Sequence, residues 1–201
     1  MKKLFIILVL ISNFDANAQN IDRKVLLNDI ETLSSDKYEG RKTGSRGNFM
    51  AAEYILNRFK EIGLDAYNKD FKHPFTFKNR RNEEINGVNL IGYIKGRSDQ
   101  VIVISAHYDH VGINNSEIFN GADDNASGVA AILSIAKYFK EHKPKNTLLF
   151  IAFDAEEMGL QGAYSFLKAP IPSRENIKLN VNLDMVSHND KSELYAAGTY
   201  K

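Results

Sequence analysis

Histidine and carboxylate side chains concentrate at four places in this sequence. His107-Tyr108-Asp109-His110 closes one apolar run, and Gly121-Ala122-Asp123-Asp124-Asn125-Ala126-Ser127-Gly128 follows it. Asp154-Ala155-Glu156-Glu157 closes a second apolar run, and Asp184 follows the strand-like segment Ile177–Leu183. Carboxylates gathered with an imidazole at one edge repel one another unless a cation or bound protons compensate them. Imidazole nitrogen and carboxylate oxygen, without thiolate, suit hard or borderline divalent metals such as zinc, manganese or cobalt. The i, i+2 spacing of His107 and Asp109 sends both side chains to one side of an extended strand. Asp109 is then placed to orient or polarise His107, as carboxylates do behind metal-binding histidines. Asp123 and Asp124 precede a helical pattern, and one of them is expected as its N-cap. Asp184, directly after a strand expected to be buried, is expected to be a buried carboxylate in need of a partner. His73, His110, His142 and His188 lack such support and read as surface or loop histidines. The HExxH, GxSxG, GxxxxGK[ST] and GxGxxG patterns do not occur, and Ser127 has no nucleophile elbow around it.

The elements that must hold these residues are legible from periodicity. Val25, Leu26, Ile30 and Leu33 mark a helix over 21–34, and a polar loop runs from Ser34 to Gly47. Phe49, Ala52, Ile55, Phe59 and Ile62 mark an amphipathic helix stopped by Gly63. Phe71 to Phe77 alternates like a strand, Lys78 to Asn86 is a charged turn, and Val88 to Ile94 is a second strand. Val101–Ala106 and Thr147–Phe153 are continuous apolar runs, the pattern of strands buried on both faces. Helices are expected over 126–139 and 159–167, a strand over 177–183, and the start of another strand over Ser192–Lys201. Strands alternating with helices predict an α/β fold whose sheet is mixed and mainly parallel, with an antiparallel edge near 71–94. Ligands of open α/β sheets collect beyond the carboxyl ends of the strands, where the acids and His107 lie.

With 201 residues, 26 basic and 25 acidic side chains and no cysteine, the chain has a core-forming composition and no net field. Near-neutrality argues against a nucleic-acid partner, and the lack of cysteine excludes disulfides, thiolate metal sites and a lipoprotein anchor. Lys2 and Lys3, the apolar run Leu4–Ile11 and Ala16-Asn17-Ala18 predict a signal peptide over residues 1–18 and a mature start at Gln19. The apolar run is too short for a permanent bilayer span. An exported periplasmic or extracellular protein without a membrane anchor is expected.

In order and spacing, these segments resemble the di-zinc aminopeptidases of metallopeptidase family 28. The resemblance runs through GRKTGSRGN (Gly40–Asn48), AAEYILNRFKEIGL, SAHYDHVG, GADDNASGVAA, FIAFDAEEMGLQGA and NLDMVS, nearly all of the mature chain. It implies a three-layer α/β/α zinc-exopeptidase-like fold. It also implies that His107 ligates one metal with Asp109 behind it, that Asp124 bridges two metals and that Asp123 is structural. Glu156 is implied as general base, Glu157 as ligand of the other metal, and Asp184 as ligand of the metal that His107 binds. The family's last histidine ligand lies far downstream, and this sequence stops at Lys201 before any match. Residues 19–201 are therefore expected to be the N-terminal portion of a single catalytic domain. Of its two zinc ions, only the one held by His107, Asp124 and Asp184 is expected to be well ligated here. The implied substrate is a peptide or dipeptide with a free N-terminus. Two alternatives make opposite demands on the residues. A glutaminyl-cyclotransferase-like single-zinc enzyme expects a replaced first histidine, whereas His107 is present. A non-catalytic binding module expects lost ligands, whereas every position within the sequence is filled.

Overall fold

The computed structural model describes residues 21–67, 70–188, 190–191 and 193–198. The expected signal peptide lies outside the described residues. Helix α1 (Arg23–Leu33) begins at Asp22, whose carboxylate accepts from the Val25 amide at 3.1 Å. Helix α2 (Arg46–Ile62) begins at Ser45, whose side chain accepts from the Asn48 amide. It ends at Gly63 with φ of 79°, the left-handed conformation that glycine adopts without a Cβ clash. Between them, within the polar loop expected over Ser34–Gly47, Asp36–Arg41 forms a short 3-10 turn.

Strands β1 (Asp65–Ala66), β2 (Lys72–Lys78) and β3 (Glu84–Ile94) follow, then β4 (Ser98–His107) and a small hairpin, β5 (Gly112–Asn114) with β6 (Glu117–Phe119). Helix α3 (Gly128–Glu141), β7 (Asn146–Phe153), α4 (Gln161–Lys168) and β8 (Ile177–Asn182) complete the order. The main sheet runs β1-β3-β7-β4-β8, and β2 also pairs with β3. β4 is parallel to β7 and to β8, with Ile104 opposite Phe150 and Val181. β3 is antiparallel to β1, β2 and β7. The sheet is mixed as expected, and its antiparallel part reaches further than an edge at 71–94 because β3 also pairs with β7.

Alternation along the strands sends side chains to two faces and so builds three layers. Leu148, Phe150 and Ala152 join Leu90, Ile104 and Ala106 beneath Ile55 and Phe59 of α2 and Ile132 and Leu133 of α3. Leu149 and Ile151 join Ile91, Val101 and Val103 on the other face, against Phe166 of α4. Each such side chain contributes about 1.5–3 kcal/mol on burial, so the rigid part of the fold lies directly behind the strand ends. β4, β7 and β8 run in one direction and release His107, Asp154 and Asp184 at one rim.

Two expectations change. Residues 193–198 form no strand, and Ser192 and 199–201 lie outside the described residues. Leu194 and Tyr195 are exposed. A strand exists only through a hydrogen-bonding partner, which an apolar–polar pattern cannot supply. β1 and the β5–β6 hairpin, too short to show a period, were not foreseen. Among the described residues, no helix is long and apolar enough to cross a membrane.

Candidate metal centre

His107, the last residue of β4, is 3% exposed. Its Nε2 lies 3.2 Å from Asp124 Oδ1 and 3.6 Å from Asp184 Oδ1. These three donors fall within 4.8 Å of one another. The Nδ1 of the same ring is 3.1 Å from the carbonyl of Asp109 and 3.6 Å from its carboxylate. Asp109 thus stands behind His107, as its spacing implied, and has a second task. Its Oδ1 accepts from the Glu156 amide at 3.0 Å and its Oδ2 from the Glu157 amide at 3.2 Å. Asp109 therefore positions the imidazole through its carbonyl and both glutamates through its buried carboxylate.

Asp124 sits in the turn Ala122–Ser127 ahead of α3, where the Asp124–Asn125 peptide is cis. Asn125 is fully buried and donates to the Leu183 carbonyl at 2.9 Å, while its Oδ1 accepts from Gly128 and Met185 amides. It thereby fixes the segment that carries Asp184 against the start of α3. Asp123 accepts from Ser127 Oγ through its carbonyl, and from Ser187 through its carboxylate. That role is structural, although the helix start itself has no side-chain cap. Asp184 departs from the expectation of a buried carboxylate, since its side chain is 44% exposed. The strand before it, expected to be buried, is itself mostly exposed, so position after a strand did not report burial.

His110 is the clearest correction. It belongs to a loop, as expected, but its side chain is only 12% exposed. Its Nδ1 is 2.8 Å from Glu157 Oε1 and 3.7 Å from Asp124 Oδ2, so His110, Asp124 and Glu157 form a second convergent group. The turn after His107 swings His110 inward, which a residue-type reading does not show. His73 has a buried Nε2 without a hydrogen-bond partner, His142 stacks on Tyr138, and His188 is exposed. None of these three joins a metal-binding group among the described residues.

Arg41 carries no signal in the sequence yet holds the rim together. It is fully buried, and its guanidinium donates to the carbonyls of Leu33, Tyr108, Asn120 and Gly121 at 2.6–2.9 Å. The end of α1, the segment after β4 and the turn before Asp124 therefore meet on one side chain. Asp154 plays the matching role for β7. It accepts from Thr43 Oγ1, Asn48 Nδ2 and the amides of Val88 and Ala155, all at 2.8–3.0 Å.

The field at the rim is negative. Burial alone pushes the His107 imidazolium down, but its hydrogen bond with Asp109 and the charges of Asp109, Asp184 and Glu156 raise it to about 9. Burial raises the Glu156 carboxyl; His107 pulls it down, and Asp109, Glu157 and Asp184 push it further up. A bound proton thus takes up part of the role of a cation. The donor set of imidazole nitrogen and carboxylate oxygen fits zinc. A cavity of about 180 Å³ opens beside the site, lined by His107, Glu156 and Asp184 together with Phe153, Leu160 and Asn182.

The Peptidase family M28 model matches residues 89–201. A probable zinc metalloprotease of Pyrenophora tritici-repentis is 36% identical over 169 residues, covering 81% of this chain and 38% of that protein. Among solved structures, a zinc aminopeptidase from Bacillus subtilis aligns with a TM-score of 0.71 at 16% identity, covering 84% of this chain and 70% of its own. Fimbriiglobus ruber glutaminyl cyclase aligns with a TM-score of 0.71 at 18% identity, covering 85% and 63%. These two likenesses show a shared fold with zinc exopeptidases and with glutaminyl cyclases. The chain spans less than half the length of the curated relatives it matches. The family match covers the segments that carry His107, Asp124, Glu157 and Asp184, and the chain belongs to peptidase family M28.

Proposed function

We propose that this chain provides the metal-binding core of a zinc-dependent aminopeptidase acting on peptides or dipeptides with a free N-terminus. The reading is carried by two donor groups that share Asp124, with the Glu156 carboxylate beside them on the cavity. His107, Asp124 and Asp184 would hold one zinc ion, and Asp124 and Glu157 belong to a second. Bound zinc would supply Lewis acidity, polarising the scissile carbonyl and lowering the pKa of water. Glu156, with its amide fixed by Asp109, takes the proton from the attacking water and returns it to the leaving amine. Adjacent residues leave the backbone in different directions, so Glu157 turns to His110 while Glu156 faces the cavity. The acidic rim attracts the α-ammonium of the substrate, which favours cleavage at the N-terminal residue.

Aminoacyl-nitroanilide hydrolysis by the full-length protein, with zinc content measured in parallel, tests the reading. Glu156→Gln should keep its zinc and lose turnover, and wild-type-like hydrolysis by that variant would overturn the role. Cyclisation of N-terminal glutamine without hydrolysis would instead support the glutaminyl cyclase chemistry of the structural neighbours. The proposal includes export, on the strength of Lys2–Ala18. A secreted protein that retains residues 1–18 would contradict it.

A further inference from the structure

The second donor group has an imidazole of its own. His110 Nδ1, Asp124 Oδ2 and Glu157 Oε1 lie within 4.8 Å of one another, and they come from three separate segments. Asp124 turns one oxygen to each imidazole, Oδ1 towards His107 at 3.2 Å and Oδ2 towards His110 at 3.7 Å. The His110 ring is held in place. Its backbone amide donates to the Arg41 carbonyl at 3.3 Å. On its other side the backbone of Gly121 comes so close that a Cβ there would stand 2.6 Å from His110 Cδ2. A cavity of about 160 Å³ opens onto His110 and Glu157 beside Lys42, Thr43 and Met158. One imidazole nitrogen with two carboxylate oxygens is a donor set for zinc or a similar divalent ion, with room left for water or substrate.

We propose that His110 is itself a ligand of the second divalent ion, alongside Asp124 and Glu157. The four-residue segment His107–His110 would then supply an imidazole to each of the two ions. The inference rests on the reading of the rim as a metal centre and adds to it a ligand that the sequence pattern did not assign. The rival explanation is that His110 only hydrogen-bonds Glu157. Losing an outer hydrogen-bond partner weakens metal binding by roughly 10–100-fold, whereas losing a ligand should exceed that range.

The test is zinc stoichiometry and affinity of the full-length protein by titration, with the ¹⁵N shift of His110 Nδ1 followed through the same titration. The expected result is two ions per chain, with the Nδ1 resonance shifting as the second ion binds. His110→Ala should retain the first ion and weaken the second by more than about 100-fold, the upper end expected for an outer partner. His110→Asn keeps a hydrogen-bond donor for Glu157, and it should fail to restore the second ion. Circular dichroism of both variants reports whether they are folded. A second ion held normally by His110→Asn, or an unmoved Nδ1 resonance at saturation, would overturn the ligand role. In either case loss of the first ion in His107→Ala would leave the metal-centre reading intact. Absence of any bound ion in the wild-type protein would overturn both.

Discussion

Replacing Arg41 by methionine tests how the rim is held. Methionine retains much of the stem and removes the five N–H donors, so the carbonyls of Leu33, Tyr108, Asn120 and Gly121 lose the partners they now have at 2.6–2.9 Å. Each buried acceptor left without a donor costs about 1–3 kcal/mol. Against this, the variant no longer buries a charge, a relief of several kcal/mol. Burial already pulls the guanidinium down to about 10, with Asp109 and Asp124 pulling the other way. The net loss should be about 3–5 kcal/mol, the range for removing one side of a buried charged arrangement. With an m-value near 2 kcal/mol/M, the urea midpoint should fall by about 2 M. Unfolding is best followed with chelator present, so that metal linkage does not enter the comparison. Arg41→Lys keeps the charge but not the planar fork, and one ammonium cannot reach four carbonyls at three separate segments. It should therefore recover less than half of the loss. A methionine variant within about 1 kcal/mol of wild type, the size of one ordinary hydrogen bond, would refute the idea that this side chain ties the rim.

Gly47→Ala should be destabilising by more than about 2 kcal/mol, as expected of overpacking, because its Cβ would stand 1.9 Å from the Tyr38 carbonyl oxygen. Urea unfolding checks it, and a loss under about 1 kcal/mol, the size of an average single substitution, would contradict it. Burial raises the phenols of Tyr38 and Tyr108, and burial with the Asp29 hydrogen bond raises Tyr54 to about 12. Between pH 10 and 12 the folded state then holds more protons than the unfolded state, so stability falls as pH rises through that window and is fully present below it. Phenolate absorbance should show these three of the nine tyrosines titrating late, together with unfolding. A single reversible step near pH 10 in the folded protein would contradict this.

Periodicity reports which face of an element is buried, so α2, α3, β4 and β7 were legible to within about three residues of their ends. The same patterns placed His107, Glu156 and Asp184 at strand ends. What they could not report are contacts made across the fold by residues outside any period. Arg41 resembles any loop arginine until Leu33, Tyr108, Asn120 and Gly121 surround it. His110 resembles a surface histidine until the turn after β4 brings it to Glu157. The family resemblance assigned roles to seven residues and to neither of these, because neither residue declares its partner locally.

The acids at the rim divide into two kinds, and the division comes from hydrogen-bond donors. Asp109 takes the amides of Glu156 and Glu157, Asp123 takes the amide and hydroxyl of Ser187, and Asp154 takes four donors. A carboxylate whose oxygens are filled by the protein's own donors has few acceptor positions left and is a poor candidate for binding anything else. Asp124, Glu157 and Asp184 turn instead to His107 and His110, and Glu156 turns to the cavity. Seven acids that look alike in sequence thus separate into three that fasten segments and four that keep oxygens for a ligand or a proton. Two of the fastening acids, Asp109 and Asp154, are buried, where an unsatisfied anion is most costly. Metal affinity at this rim should accordingly depend on Asp109 as strongly as on the proposed ligand Asp184, because releasing the Glu156–Glu157 turn disperses two of the four free carboxylates at once.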